Sequence, residues 1–144
     1  MHLLCFDISS GGITAALLDS HLESIRVAET QWILETDAQG AATLSLATIE
    51  TQFKRVIQQL NIQPDDRIDA LCMDSFMHNI VVLNDADQPL TPVFTWLDQR
   101  GESGMEYVRS RMGGRFHEHT GCHYHPMFPV FKLAAMHLHL PFGL

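Results

Sequence analysis

Short apolar runs dominate the first third of the chain. Residues 2–8 (HLLCFDI) and 13–19 (ITAALLD) are each long enough for one strand, and Ser9, Ser10, Gly11 and Gly12 separate them. Two such runs joined by four small residues predict a β-hairpin. Residues 24–33 predict a third strand with Ile25, Val27 and Trp32 facing inward, and residues 37–40 a loop. The period then changes. Leu46, Ile49, Phe53, Val56, Ile57 and Leu60 recur at helical spacing, so residues 46–60 predict an amphipathic helix. Ser45 stands where a cap belongs, with Thr48 and Glu50 close behind it.

Residues 61–66 break that pattern, and 68–73 (IDALCM) predict a buried strand running into the polar patch 74–79. Residues 80–83 read as a strand, 85–89 as a turn and 93–96 as a further extended piece. Residues 102–112 predict a helix, and 129–139 another, opened by Pro129 and stopped by Pro141. Three strands, a helix, a strand, a hairpin and then helices make a mixed α/β pattern with an antiparallel start. Neither GxGxxG leading into a helix nor GxxxxGK[ST] occurs, so the small-residue turn is not a Rossmann or P-loop turn.

Composition narrows the partners. The 144 residues are 46% apolar and 18% charged, enough for one domain with a real core. A net charge of −8 argues against nucleic acid, because phosphate-backbone binding needs clustered Lys and Arg. A nucleotide is still admissible, since backbone amides and a metal ion can hold it. Cys5, Cys72 and Cys122 are far apart and odd in number, which reads as reduced, mostly packed thiols in the cytoplasm. Asp7 interrupts the first apolar run with no basic segment before it, unlike a signal peptide. No apolar run approaches the ~20 residues of a membrane helix, so a membrane partner is not expected.

Four groups of residues carry candidate chemistry. Asp7 ends a strand just before Ser9–Gly12; small residues let backbone approach a polyanion, and the carboxylate is placed to hold Mg2+ through water. An ordinary hairpin with a surface aspartate is the competing reading. His78 follows a strand end, where α/β proteins place ligand groups, or is a half-buried histidine bonded to backbone. Trp96, Asp98 and Arg100 alternate, so an extended chain puts them on one face, either as a grip on a polyhydroxylated ligand or as an ion pair under a packed ring. His117, His119, Cys122, His123 and His125 suggest a transition metal, but their spacing fits no standard closed site.

Taken in order, these pieces resemble the FGGY family of carbohydrate kinases. Residues 6–19 (FDISSGGITAALLD) are similar to the family's first phosphate loop. Residues 69–100 are similar to the segment with a substrate-contacting MH pair, a hairpin and W-x-D-x-R, and 120–133 (TGCHYHPMFPVFKL) to a TG segment ending in a Lys-Leu helix. The resemblance implies a ribonuclease H-like α/β fold of the actin and hexokinase superfamily, a mixed sheet with flanking helices. It implies a truncated first domain over residues 1–144, with the C-terminal ATP-binding domain absent and the catalytic Asp base expected beyond Leu144. It implies ATP and Mg2+ as cofactors: Asp7 near the metal, and Ser9, Ser10, Gly11, Gly12 and Thr14 beside the phosphates. Met77, His78, Trp96 and Met127 would line the sugar site with Asp98 and Arg100, facing the same cleft as Asp7. Met127 stands where polyol-using members place an aromatic hydroxyl residue, which disfavours glycerol; the MH pair resembles xylulose kinases, and PLTPVFTWLDQR and TGCHYHP resemble gluconate kinases.

Two departures bear on activity. The family usually has Gly at Ser9, and Lys or Arg at Thr14. The expected function is therefore the N-terminal segment of an ATP-dependent sugar or sugar-acid kinase, inactive alone and able to form a homodimer. The alternatives are a non-catalytic sugar-binding or regulatory remnant and a histidine-rich metal-binding domain.

Overall fold

The structure, a computed structural model, describes residues 1–139. In chain order its elements are β1 (His2–Ile8), β2 (Gly12–Leu18), β3 (Ser24–Gln31), β4 (Glu35–Thr36), β5 (Ala42–Leu44) and α1 (Leu46–Leu60). Then follow β6 (Ile68–Ser75), β7 (Val93–Phe94), a 3-10 turn (Gln99–Gly101), α2 (Glu102–Met112), α3 (Arg115–Thr120) and α4 (Pro129–His139). They divide into two compact units: residues 1–34 with 45–76, and residues 35–44 with those from 77 onward.

The first unit is a four-stranded sheet in the order β3-β2-β1-β6. The two antiparallel pairings β1–β2 and β2–β3 follow from short turns, and β6 returns parallel to β1 after α1. One face is apolar. Leu4, Phe6, Ile13, Ala15, Leu17, Ala28 and Trp32 are buried on it together with Val56 and Leu60 of α1, and the Phe6 ring stacks on Phe53 at 4.7 Å. Each large apolar side chain so buried contributes about 1.5–3 kcal/mol relative to exposure.

Three expectations for this unit are corrected. Ile25 and Val27 point outward, because the β2 register puts Ala28 and Thr30 opposite Ala15 and Ile13 on the inner face. Trp32 does pack inward. Ser45 occupies the N-cap of α1, but its side chain makes no capping bond; its carbonyl accepts from the Thr48 and Ile49 amides instead, and no acidic residue sits in the first turn. β6 is not buried: all eight of its residues are exposed. Leu71 and Met73 register with the buried Leu4 and Phe6, yet are 59% and 55% exposed, because β6 ends the strand order.

The second unit sets β4, β5 and β7 as a small antiparallel sheet beside α2, α3 and α4. Val108, Phe116, Phe131 and Ala134 form its core. α2 and α4 lie so close that a Cβ on Gly104 would stand 1.9 Å from the Phe131 carbonyl oxygen. Residues 80–83 are not a strand; only the bridges Ile80–Phe94 and Leu83–Pro89 form. Pro89 and Pro92 offer no amide to a ladder there, so the hairpin is held at its tip by Asn84, whose side chain accepts from the Ala86 and Gln88 amides. The expected stop at Pro141 lies outside the described residues.

Candidate functional site

In the first unit the chemistry gathers where β1 turns into β2. The Ser9 amide donates to the Gly12 carbonyl at 2.9 Å, and the Gly11 amide donates to Ser9 Oγ at 3.3 Å. Trp32 closes the turn from β3: its amide donates to the Gly11 carbonyl at 3.0 Å and its indole Nε1 to the Ser10 carbonyl at 2.8 Å. Gly12 is required by packing, since a Cβ there would sit 2.0 Å from the Thr30 carbonyl oxygen; at Gly11 the same atom would meet open space. Thus one glycine serves the sheet and the other leaves room beside the turn.

Asp7 stands on the outer face in a row across all four strands. It registers with Thr14 on β2 and Asp74 on β6, and Thr14 registers with Glu29 on β3. Cross-strand partners share a face, so three carboxylates and one hydroxyl line up. A groove of about 230 Å³ lies between the Ser9–Thr14 stretch and residues 29–31, and neither Lys nor Arg lines it. This donor set fits a hydrated divalent cation at Asp7; it does not fit a bare polyanion, which needs positive charge or unspent amides.

In the second unit His78 takes a left-handed backbone, φ 64°, and its ring meets Phe128 edge-on at 4.9 Å. Met77 is exposed and Met127 half-buried. The Trp96 amide donates to Asn79 Oδ1 at 3.1 Å, joining the segment after His78 to the end of the β7 segment.

Asp98 and Arg100 require a correction. The chain is not extended there, because Asp98 caps the 3-10 turn by accepting from the Arg100 amide at 3.1 Å. Trp96 is 40% exposed while Asp98 is 0% exposed, so the two do not share a face. Asp98 Oδ2 accepts from the Ala42 amide at 3.0 Å and from Arg100 Nη2 at 2.6 Å. Phe94, not Trp96, supplies the ring, 4.6 Å beneath the Arg100 guanidinium. Asp98 is buried and Arg100 half-exposed, and together they clamp the loop carrying Trp96.

Lys132 entered the sequence reading only within the Lys-Leu helix motif and was given no role. It is 2% exposed, and its Nζ donates to the carbonyls of Thr95 at 2.5 Å, Met127 at 2.9 Å and His78 at 3.2 Å. Burial lowers its pKa to about 8, with the Asp98 carboxylate opposing the fall. Its one sequence signal is a lone cation inside the apolar stretch PVFKLAAM.

The histidine tract is dispersed. His117 and His123 stack with ring centroids 4.9 Å apart, and His117 Nδ1 lies 3.3 Å from the Cys122 carbonyl oxygen. Among the described residues no three His, Cys, Asp or Glu side chains converge on a point able to hold a metal ion. All three cysteines are free; Cys72 is exposed rather than packed, and burial followed by its neighbour Cys72 pushes the Cys5 thiol up. No helix among the described residues is long and apolar enough to cross a membrane.

Sheet order and flanking helices define a mixed α/β protein, and comparison with known proteins gives its family. Residues 2–141 match the N-terminal domain of the FGGY family of carbohydrate kinases, and the chain belongs to that family. A gluconokinase of Bacillus subtilis (strain 168) is 31% identical over 102 residues, covering 70% of this chain and 19% of the relative. A gluconokinase of Bacillus licheniformis is 28% identical over 138 residues, covering 92% of this chain and 26% of the relative. The solved xylulose kinase of Rhodospirillum rubrum superposes with a TM-score of 0.90 at 21% identity, over 98% of this chain and 30% of that one. The fold is thus the one seen in this solved sugar kinase, a mixed sheet with flanking helices, and the chain spans about a fifth to a quarter of the curated relatives it matches.

Proposed function

We propose that this chain is the N-terminal part of an ATP-dependent kinase that phosphorylates a hydroxyl of a sugar acid or related sugar. Residues 1–144 form part of its first domain, and gluconate is the leading substrate because two gluconokinases are similar over most of the chain. The match of residues 2–141 to the kinase domain is the observation that carries the reading.

Within that reading each residue has a task. Asp7 holds the hydration shell of Mg2+, and Ser9, Ser10, Gly11, Gly12 and Thr14 border the phosphates. Bound MgATP supplies the phosphoryl group, and its metal spreads the charge of transfer. Met77, His78, Trp96 and Met127 line the sugar: the indole gives a flat apolar wall, and the imidazole a hydrogen bond to a hydroxyl. Asp98 and Arg100 order that wall from beneath. No residue here takes the part of general base, so the chain by itself turns over no substrate. The acidic surface suits the cytoplasm and leaves nucleic acid aside.

NMR titration of the chain with gluconate and with xylulose tests this. Amide shifts at Asn79, Trp96 and Met127 are expected; shifts at none of them with either sugar would overturn the sugar site. A coupled assay of ADP release should register no turnover by this chain, and turnover that follows it through purification would overturn its inactivity.

A second reading, a non-catalytic sugar-binding remnant, is favoured by one observation. Thr14 leaves Glu29, Asp7 and Asp74 without a cation among them. MgATP added to the chain should perturb the Ser9–Gly12 amides under the first reading and leave them still under the second.

A further inference from the structure

We propose that Lys132 is a positioning residue of the sugar site, a single buried ammonium that sets the backbone of the three segments carrying His78, Trp96 and Met127. This rests on the reading that those three residues face the sugar.

The geometry is economical in one respect: an ammonium has three protons and no acceptor, and here three carbonyls take them. Two of the carbonyls come from segments that also meet at the Ile80–Phe94 bridge, and the third from the loop before α4. One belongs to His78, one to Thr95 beside Trp96, and one to Met127. The contact with His78 coincides with its left-handed backbone, which turns that carbonyl toward Nζ while the ring rests on Phe128. Thr95 is fixed a second time, its amide and hydroxyl both donating to the Ala42 carbonyl at 3.1 and 2.8 Å. Gly101 lets the loop before α4 approach closely, since a Cβ there would lie 2.6 Å from the Pro126 carbonyl oxygen.

Stability alone would not select this residue. A buried cation is costly, and an apolar side chain of similar volume is often as stable. Asp98, the carboxylate that opposes its neutralisation, is committed to Arg100 and to the Ala42 amide. The ammonium has its charge spread over carbonyls alone, at the point where three loop segments converge. An apolar residue would fill that space and remove this donor from all three carbonyls, Thr95 keeping the Asp98 amide at 3.0 Å, so the three segments would lose their common reference.

The test compares the wild-type chain with Lys132→Met, which keeps the stem and removes the donors, and with Lys132→Gln, which keeps part of the polarity. Backbone 13C′ shifts and gluconate titrations are recorded for each. In Lys132→Met the carbonyl signals of His78, Thr95 and Met127 should all move, those of β1 to β3 should stay, and gluconate affinity should fall about tenfold or more. Lys132→Gln should fall between, and it takes the place of the methionine variant if that one does not fold. Unchanged affinity in a folded variant, or carbonyl signals that stay put, would overturn the proposal even if the melting temperature drops. Absence of any sugar response in the wild-type chain would instead remove the sugar site on which the proposal rests.

Discussion

His78 combines a ligand-type side chain with a backbone conformation that L residues rarely adopt. The two properties separate by mutation. Removing the imidazole should abolish the hydrogen bond to sugar that we propose for it, in both His78→Ala and His78→Gly. The glycine variant should melt at the higher temperature, because φ 64° costs a Cβ-bearing residue about 1 kcal/mol. Equal melting temperatures would mean the loop relaxes around that residue. Lys132 gives a pH dependence of definite sign. Its folded pKa of about 8 lies below the ordinary 10.5, so between those values the unfolded chain holds a proton that the folded chain has released. Stability from this group is therefore full above the ordinary value and lost as pH falls through about 8. Urea midpoints should rise for wild type relative to Lys132→Met between those pH values. Asp7 and His78 could be singled out from strand-end position alone, whereas Lys132 could not. Its carbonyl partners lie 54, 37 and 5 residues away, and nothing local announces them.

Elements whose pattern is set by near neighbours were legible. β1, β2 and α1 follow from runs and periods within their own windows; the bounds of β1 and α1 match, and β2 is shifted by one residue. β6 was misread because apolarity reports what a strand prefers to contact, not what is there to contact it. Residues 80–83 were misread because two prolines on the facing strand remove ladder donors. The Trp96–Arg100 alternation failed for a different reason: an aspartate that caps its own turn competes with extended backbone. Glycine substitutions probe the first hairpin. Gly12→Ala should cost more than about 2 kcal/mol, since the new Cβ meets a backbone oxygen of β3 that cannot yield. Gly11→Ala should be nearly neutral, since its Cβ meets nothing. Urea denaturation of both variants checks the contrast, and comparable losses would show that the turn rather than the strand contact is limiting.

At the scale of the whole chain, the family was legible from motif order, while the exposure of β6 was not. Parallel strands are ordinarily covered on both faces, and β6 is covered on neither. Its edge carries Leu71 and Met73 in register with core residues of β1. An uncovered apolar edge favours association of copies. Sedimentation should therefore depend on protein concentration, and Leu71→Lys with Met73→Lys should shift the chain toward monomer. An unchanged sedimentation profile in the double variant would place any association elsewhere.

The pairing of β6 with β1 also has a consequence in time. β1, β2 and β3 join through turns of a few residues, but the His2 amide reaches Asp69 across 67 positions of sequence. Closing a long loop is entropically slower than closing a hairpin, and β6, an edge strand like β3 but exposed at every residue, gains least from docking. The meander and α1 therefore assemble first and β6 joins last. On the reverse path it is the first strand to detach, so pulsed deuterium labelling should find the amides of residues 70–75 exchanging well before those of residues 13–17.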